Sequence, residues 1–201
     1  MAWLQKAVFV FLEEAVNMSD ILEMAKLAKK ASVVLATLPT PIKNAALQKG
    51  AEALLTGMDK ILQANKQDVE NAKKAGVRSA FIDRLTLTEE RILSMAEGLR
   101  QVASFDDPVG EVTFMKTLDN GLMIGQKRVP MGVIGIIFEA RPNVTADAFG
   151  LCLKAGSAVI LRGGKEAIGS NKAIVELFQE AVQKEGLPKE CVQIVQDTSR
   201  E

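Results

Sequence analysis

The chain has 201 residues, 48% of them apolar and 25% charged, enough to bury a substantial core. Its 25 basic and 25 acidic side chains cancel, which leaves no electrostatic footprint for nucleic acid or an anionic membrane. No apolar run approaches the roughly 20 residues of a spanning helix. Histidine and tyrosine are both absent, which removes the usual zinc and serine–histidine chemistry and leaves carboxylate, lysine or cysteine for proton transfer.

Residues 1–17 read as an atypical extension. The apolar run Ala7–Leu12 is followed by Glu13 and Glu14, where a signal peptide would need a small-residue cleavage site. From Asp20 the pattern turns helical, with Asp20 and Glu23 placed as a capping box. Ile21, Met24, Ala28, Ala31, Leu35 and Leu38 then mark one buried face, and Pro39 closes the helix. Thr40 and Pro41 start the next as N-cap and first helical residue. Its stripe runs from Leu47 through Ala51, Leu54, Met58 and Ile61 to Leu62. The polar stretch from Gln63 to Ser79 reads as broken helix and loop, stopped at Gly76. Thr88 caps a third long helix that carries Ile92, Met95, Ala96, Leu99, Val102 and Ala103. The region 18–108 is thus a helical layer with no evident chemistry of its own.

The period then changes. Thr113–Leu118 and Leu122–Arg128 flank Asp119-Asn120-Gly121, a strong short-range hairpin signal. On the residues alone, the hairpin, 111–128, packs on its own domain. Gly132–Phe138 is an apolar run expected as a buried strand. Pro142 biases Arg141 away from helix, so this strand ends at the corner Glu139-Ala140-Arg141-Pro142-Asn143. A helix follows from about Ala146 to Lys154, capped by Gly156. Ser157–Leu161 is a second strand and ends in Arg162-Gly163-Gly164-Lys165. Ser170 caps a helix bearing Ile174, Leu177, Phe178, Ala181 and Val182, and Cys191–Val195 is a third strand. Strands alternating with helices over 129–201 predict a parallel α/β sheet, with ligands at the carboxyl ends of the strands.

Four features at those ends can carry chemistry. The Asn143 amide donates without charge, which suits stabilisation of a developing oxyanion; asparagine is equally common as a plain helix cap. Arg162 and Lys165 bracket two glycines that would let a ligand approach the backbone, and the two cations either hold phosphate or stand as solvated surface charges. Arg141 either clamps an anionic substrate group or braces Glu139. Cys152 and Cys191 sit in apolar segments and read as buried, reduced, unreactive thiols.

The run from Val129 to Glu166, with Phe-Glu-Ala-Arg-Pro-Asn143, Leu-Cys-Leu-Lys-Ala-Gly156 and Ala-Val-Ile-Leu-Arg-Gly-Gly-Lys-Glu166, resembles the γ-glutamyl phosphate reductases of the aldehyde dehydrogenase superfamily. The resemblance covers roughly residues 18–201 and stops about halfway through the family's length. It implies an α/β, aldehyde-dehydrogenase-like fold: a helical layer and an incomplete Rossmann-like parallel sheet in a partial NADP-binding domain. It also implies NADPH-dependent reduction of L-glutamyl 5-phosphate in the cytoplasm, within proline biosynthesis. Asn143 would polarise the acyl oxygen, Arg141 would bind the substrate, and Arg162, Gly163, Gly164 and Lys165 would hold the cofactor. Many family members carry Glu at the position of Lys165; the cation here favours the 2′-phosphate of NADPH. The hairpin 111–128 would join subunits of a homo-oligomer. The cysteine nucleophile of the resembled enzymes falls beyond residue 201, so the isolated chain is expected to be inactive. The other reading is a non-catalytic nucleotide-binding or subunit-interaction module.

Overall fold

A computed structural model describes residues 20–197. The extension 1–17 and the first residues of the expected resemblance lie outside them. Helix α1 spans residues 20–35 and buries Ala28, Ala31 and Leu35. Ile21, expected on that buried face, is exposed instead.

Helix α2 (Thr40–Thr56) takes Pro39 as its N-cap and Pro41 in its first turn. Thr40 does not cap. Its hydroxyl donates to Asp107 Oδ2 at 2.7 Å, across to the segment that follows the last helix of the layer. The apolar stripe expected on one helix is split at Gly57 between α2 and α3 (Met58–Lys74). A Cβ at Gly57 would stand 2.5 Å from Leu177 Cδ1, so a larger residue there would have to push the end of the Leu177 side chain aside.

The structure corrects the expected loop after Gln63: α3 runs unbroken to Lys74. Its buried positions Ile61, Asn65, Asp68 and Ala72 keep helical spacing, but two of the four are polar. Each polar one is fully engaged. The Asn65 amide donates to Leu85 O at 2.8 Å and to Ser170 Oγ at 3.0 Å, and its oxygen accepts from Leu87 N at 2.7 Å. Asp68 accepts from Ser170 N and Oγ at 2.7 and 2.6 Å. A short helix, α4 (Ser79–Leu85), leads to α5 (Glu89–Ser104), which Thr88 caps through Arg91 N at 3.2 Å.

Strands β1 (Val112–Thr117) and β2 (Met123–Lys127) pair antiparallel as the expected hairpin, and every residue of both is exposed. The second sheet is parallel, ordered β3 (Val133–Ile137), β4 (Ala158–Arg162), β5 (Val192–Ile194). Helix α6 (Asn143–Lys154) connects β3 to β4, and α7 (Ile168–Lys184) connects β4 to β5. Ser170 lies inside α7 rather than capping it, and Asp68 serves its first turn from outside. Phe149 of α6 and Phe178 of α7 stack at 4.2 Å within one core shared with the helical layer.

β3 departs from its expected burial. It lies at the sheet's edge, and Gly135 and Ile137 face away from the core, with Ile137 78% exposed. The layer is locked at the far end of α6 by two buried lysines that the sequence pattern did not single out. Lys43 Nζ meets Asp107 Oδ2 at 2.5 Å and donates to Lys154 O at 3.2 Å. Lys154 Nζ donates to Asn44 Oδ1 at 2.7 Å and Ala103 O at 2.9 Å. The ends of α2, α5 and α6 thereby meet on two ammonium groups, one of them at the negative end of the α6 dipole.

Candidate functional site

Both polar corners lie at the carboxyl edge of the parallel sheet. Beyond β3 the chain folds tightly, with Arg141 N donating to Glu139 O at 2.8 Å. Pro142 is the N-cap of α6 and Asn143 its first helical residue, so α6 starts three residues earlier than expected. Asn143 therefore does not act as the cap. Its side chain is exposed, and Nδ2 lies 3.5 Å from Asp147 Oδ2, one turn on, a long contact that leaves the amide available to a ligand.

The second corner packs against the first. A Cβ on Gly164 would stand 3.1 Å from Ala140 N, so the chain after β4 runs directly behind the chain after β3. Gly163 is glycine for a reason internal to the protein. A Cβ there would overlap the Nδ2 of Asn171, which is fully buried in α7 and takes a 3.0 Å hydrogen bond from Thr145 Oγ1 on its oxygen. Close packing thus accounts for the two glycines without a ligand. Arg162 is half-buried at the end of β4, and Lys165 is exposed in the 3-10 turn Lys165–Ala167 that leads into α7.

A cleft of about 490 Å³ opens between the α4–α5 corner and the start of α6. Its volume falls in the usual small-molecule range of roughly 300–1,000 Å³. Arg141, Asn143 and Asp147 form one wall. Arg84, Arg91 and Ser94 face them from the helical layer, over buried Leu87 and Met95. The layer read as having no chemistry therefore supplies seven of the ten residues that line the cleft. Arg91 is committed, with Nη1 donating to Asp83 O and Thr86 O at 2.5 Å each and Nη2 reaching Asp83 Oδ1 at 3.3 Å. Arg84 and Arg141 make no ion pair among the described residues, so the brace between Arg141 and Glu139 does not form. Crowding by the cleft wall raises the Asp147 carboxyl above its ordinary pKa, and the Asn143 amide only partly offsets this.

Of the expected site residues, Arg141 and Asn143 share this cleft, while Arg162, Gly163, Gly164 and Lys165 form a separate corner beside it. Neither cysteine lines the cleft. Burial pushes the Cys152 thiol up to about 11, and burial with the nearby Glu190 charge pushes Cys191 to about 12. Both are protonated at neutral pH and unsuited to nucleophilic attack. No cluster of histidine, cysteine and carboxylates able to hold a metal occurs among the described residues. No described helix is long and apolar enough to cross a membrane.

A strand–helix–strand sheet with an uncharged amide donor at its carboxyl edge, joined to an amino-terminal helical layer, is an α/β architecture with a ligand-binding edge. The chain belongs to the aldehyde dehydrogenase family, whose model matches residues 13–201. Among curated relatives, the γ-glutamyl phosphate reductase of Carboxydothermus hydrogenoformans is 58% identical over 92% of this chain. That of Caldanaerobacter subterraneus is 55% identical over 88%. The chain spans 44% and 43% of their lengths. The solved γ-glutamyl phosphate reductase of Thermotoga maritima superposes with a TM-score of 0.87 at 43% identity, over 89% of this chain and 43% of that one. The Saccharomyces cerevisiae enzyme gives 0.83 at 33%, over 88% and 46%.

Proposed function

We propose that the chain carries the binding part of an NADPH-dependent reductase that converts L-glutamyl 5-phosphate to glutamate 5-semialdehyde and phosphate in the cytoplasm. The observation that carries this reading is the placement of Arg141 and Asn143 in one cleft, beside a separate cationic corner. Asn143 would donate to the acyl oxygen as it gains negative charge. Arg141, two residues earlier, would hold the phosphoryl group.

A nicotinamide nucleotide, when bound, supplies the hydride. Arg162 and Lys165 suit its phosphates and ribose at the carboxyl edge of β4, where α/β sheets take nucleotides. The exposed cation at 165 favours the 2′-phosphate. The raised thiol pKa values of Cys152 and Cys191 argue against either one as the nucleophile.

The exposed hairpin supports self-association. Phe114, Met115, Met123 and Ile124 are uncovered along its two strands. Such a ribbon suits pairing with a second copy.

Calorimetric titration tests the nucleotide reading. NADPH should bind saturably and more tightly than NADH, with no NADPH formed from semialdehyde, phosphate and NADP⁺. Absence of binding, or turnover by this chain alone, overturns the reading.

A further inference from the structure

The cleft's charged groups divide into two kinds. Arg91 and Asp83 are spent on each other and on the α4–α5 corner. Arg84 on one wall and Asp147 on the other form no ion pair among the described residues, yet both line the same cavity.

We propose that these two open groups read the α-amino-acid end of the substrate, with Asp147 taking the α-ammonium and Arg84 the α-carboxylate. This rests on Asn143 holding the acyl oxygen, and it assigns the far end of the same molecule.

Spacing supports the assignment. Asn143 and Asp147 are four residues apart on α6, with backbones about 6 Å apart along the axis. They share a face, and the amide nitrogen of one lies 3.5 Å from a carboxylate oxygen of the other, so a ligand bonded to the outer side of each spans more than that gap. In an extended glutamyl chain four bonds separate the acyl carbon from the α-nitrogen, a span of about 5 Å. A ligand laid along that face puts its acyl group at Asn143 and its ammonium at Asp147. Burial disfavours the charged form of Asp147, and a bound ammonium beside it would offset that cost. Arg84 then meets the carboxylate on the same carbon from the opposite wall, where its planar fork can donate to both oxygens. An acyl phosphate without these two groups would leave both charges unpaired.

The test uses three stable acyl phosphonates: the L-glutamyl compound, its des-amino counterpart and its decarboxy counterpart. Each is titrated calorimetrically into the chain, Asp147→Asn and Arg84→Gln. Both residues are exposed, so the variants keep the core intact. Asp147→Asn should weaken the glutamyl compound about tenfold and leave the des-amino compound unchanged. Arg84→Gln should weaken the glutamyl compound similarly and leave the decarboxy compound unchanged. Wild-type affinities equal across all three ligands would overturn this assignment alone and keep the acyl phosphate site. So would variants that weaken every ligand alike, or none. Failure of all three to bind the wild-type chain would overturn both readings.

Discussion

Lys43 has no exposed surface, and its ammonium lies 2.5 Å from the Asp107 carboxylate. Burial works against the charged form of Asp107. Hydrogen bonds from Lys43, Thr40 and Val109 N outweigh it and hold its carboxyl below the usual range. Removing the carboxylate strands a charge inside the protein. Asp107→Ala should therefore cost about 3 kcal/mol of unfolding free energy. Lys43→Met should cost less, because Asp107 keeps its other two donors. Urea titration distinguishes them, and equal losses would contradict this account.

The same pair sets an acid limb. Asp107 has a folded pKa below its unfolded one, so its stabilisation is present above the ordinary carboxylate range. It is lost as pH falls through the lowered folded value. The urea midpoint of wild type should drop over that interval. Asp107→Asn should start lower and fall less steeply. Parallel curves would show that the carboxylate is not responsible.

Asp147 has the opposite sign. Its folded pKa is raised, so ionising it costs the folded state. That cost is absent below the ordinary carboxylate range and complete above the raised value. Asp147→Asn should melt slightly higher than wild type at pH 7, with the difference closing as pH falls below the carboxylate range. A lower melting temperature for the variant at pH 7 would contradict this.

Asp68 reaches the first turn of α7 from α3, where it accepts from both the amide and the hydroxyl of Ser170. Asp68→Ala should cost about 2 kcal/mol, as a charged, buried cap. Gly169→Ala should also destabilise, because its Cβ would stand 2.8 Å from Asp68 Oδ1. Thermal unfolding checks both.

These contacts explain where the sequence was legible and where it was not. The hairpin, the Thr88 cap and the β3–α6–β4 unit rest on neighbours in sequence, so local chemistry announces them. Helix α3 was hidden because Asn65 and Asp68 occupy buried positions, and a polar residue there reads as surface until Leu85, Leu87 and Ser170 are known to satisfy it. At the break, Gly57 lies against Leu177, which is distant in sequence. The exposure of Ile137 depends on β3 standing at the sheet's edge. Of the cleft's lining, Arg141 and Asn143 were singled out at a strand end. Arg84, Ser94 and Asp147 were not, because each looks like a solvated helix residue until the α4–α5 corner is folded against α6.

On the proposed reading, cofactor choice depends on Lys165. Lys165→Glu should weaken NADPH binding and narrow or reverse its advantage over NADH, since a carboxylate repels a 2′-phosphate and accepts from a ribose hydroxyl. Competition titration of the two nucleotides measures this. An unchanged affinity ratio would place the 2′-phosphate elsewhere.

The most direct test of the account follows the Asn143 side-chain amide in ¹⁵N-correlated NMR spectra during titration with the L-glutamyl acyl phosphonate. The account predicts that the Asn143 NH₂ pair shifts saturably, together with the backbone signals of Arg141 and Asp147. Saturable binding that leaves those signals still and moves only residues 162–165 would contradict it, because the cleft would then not be where the substrate lies.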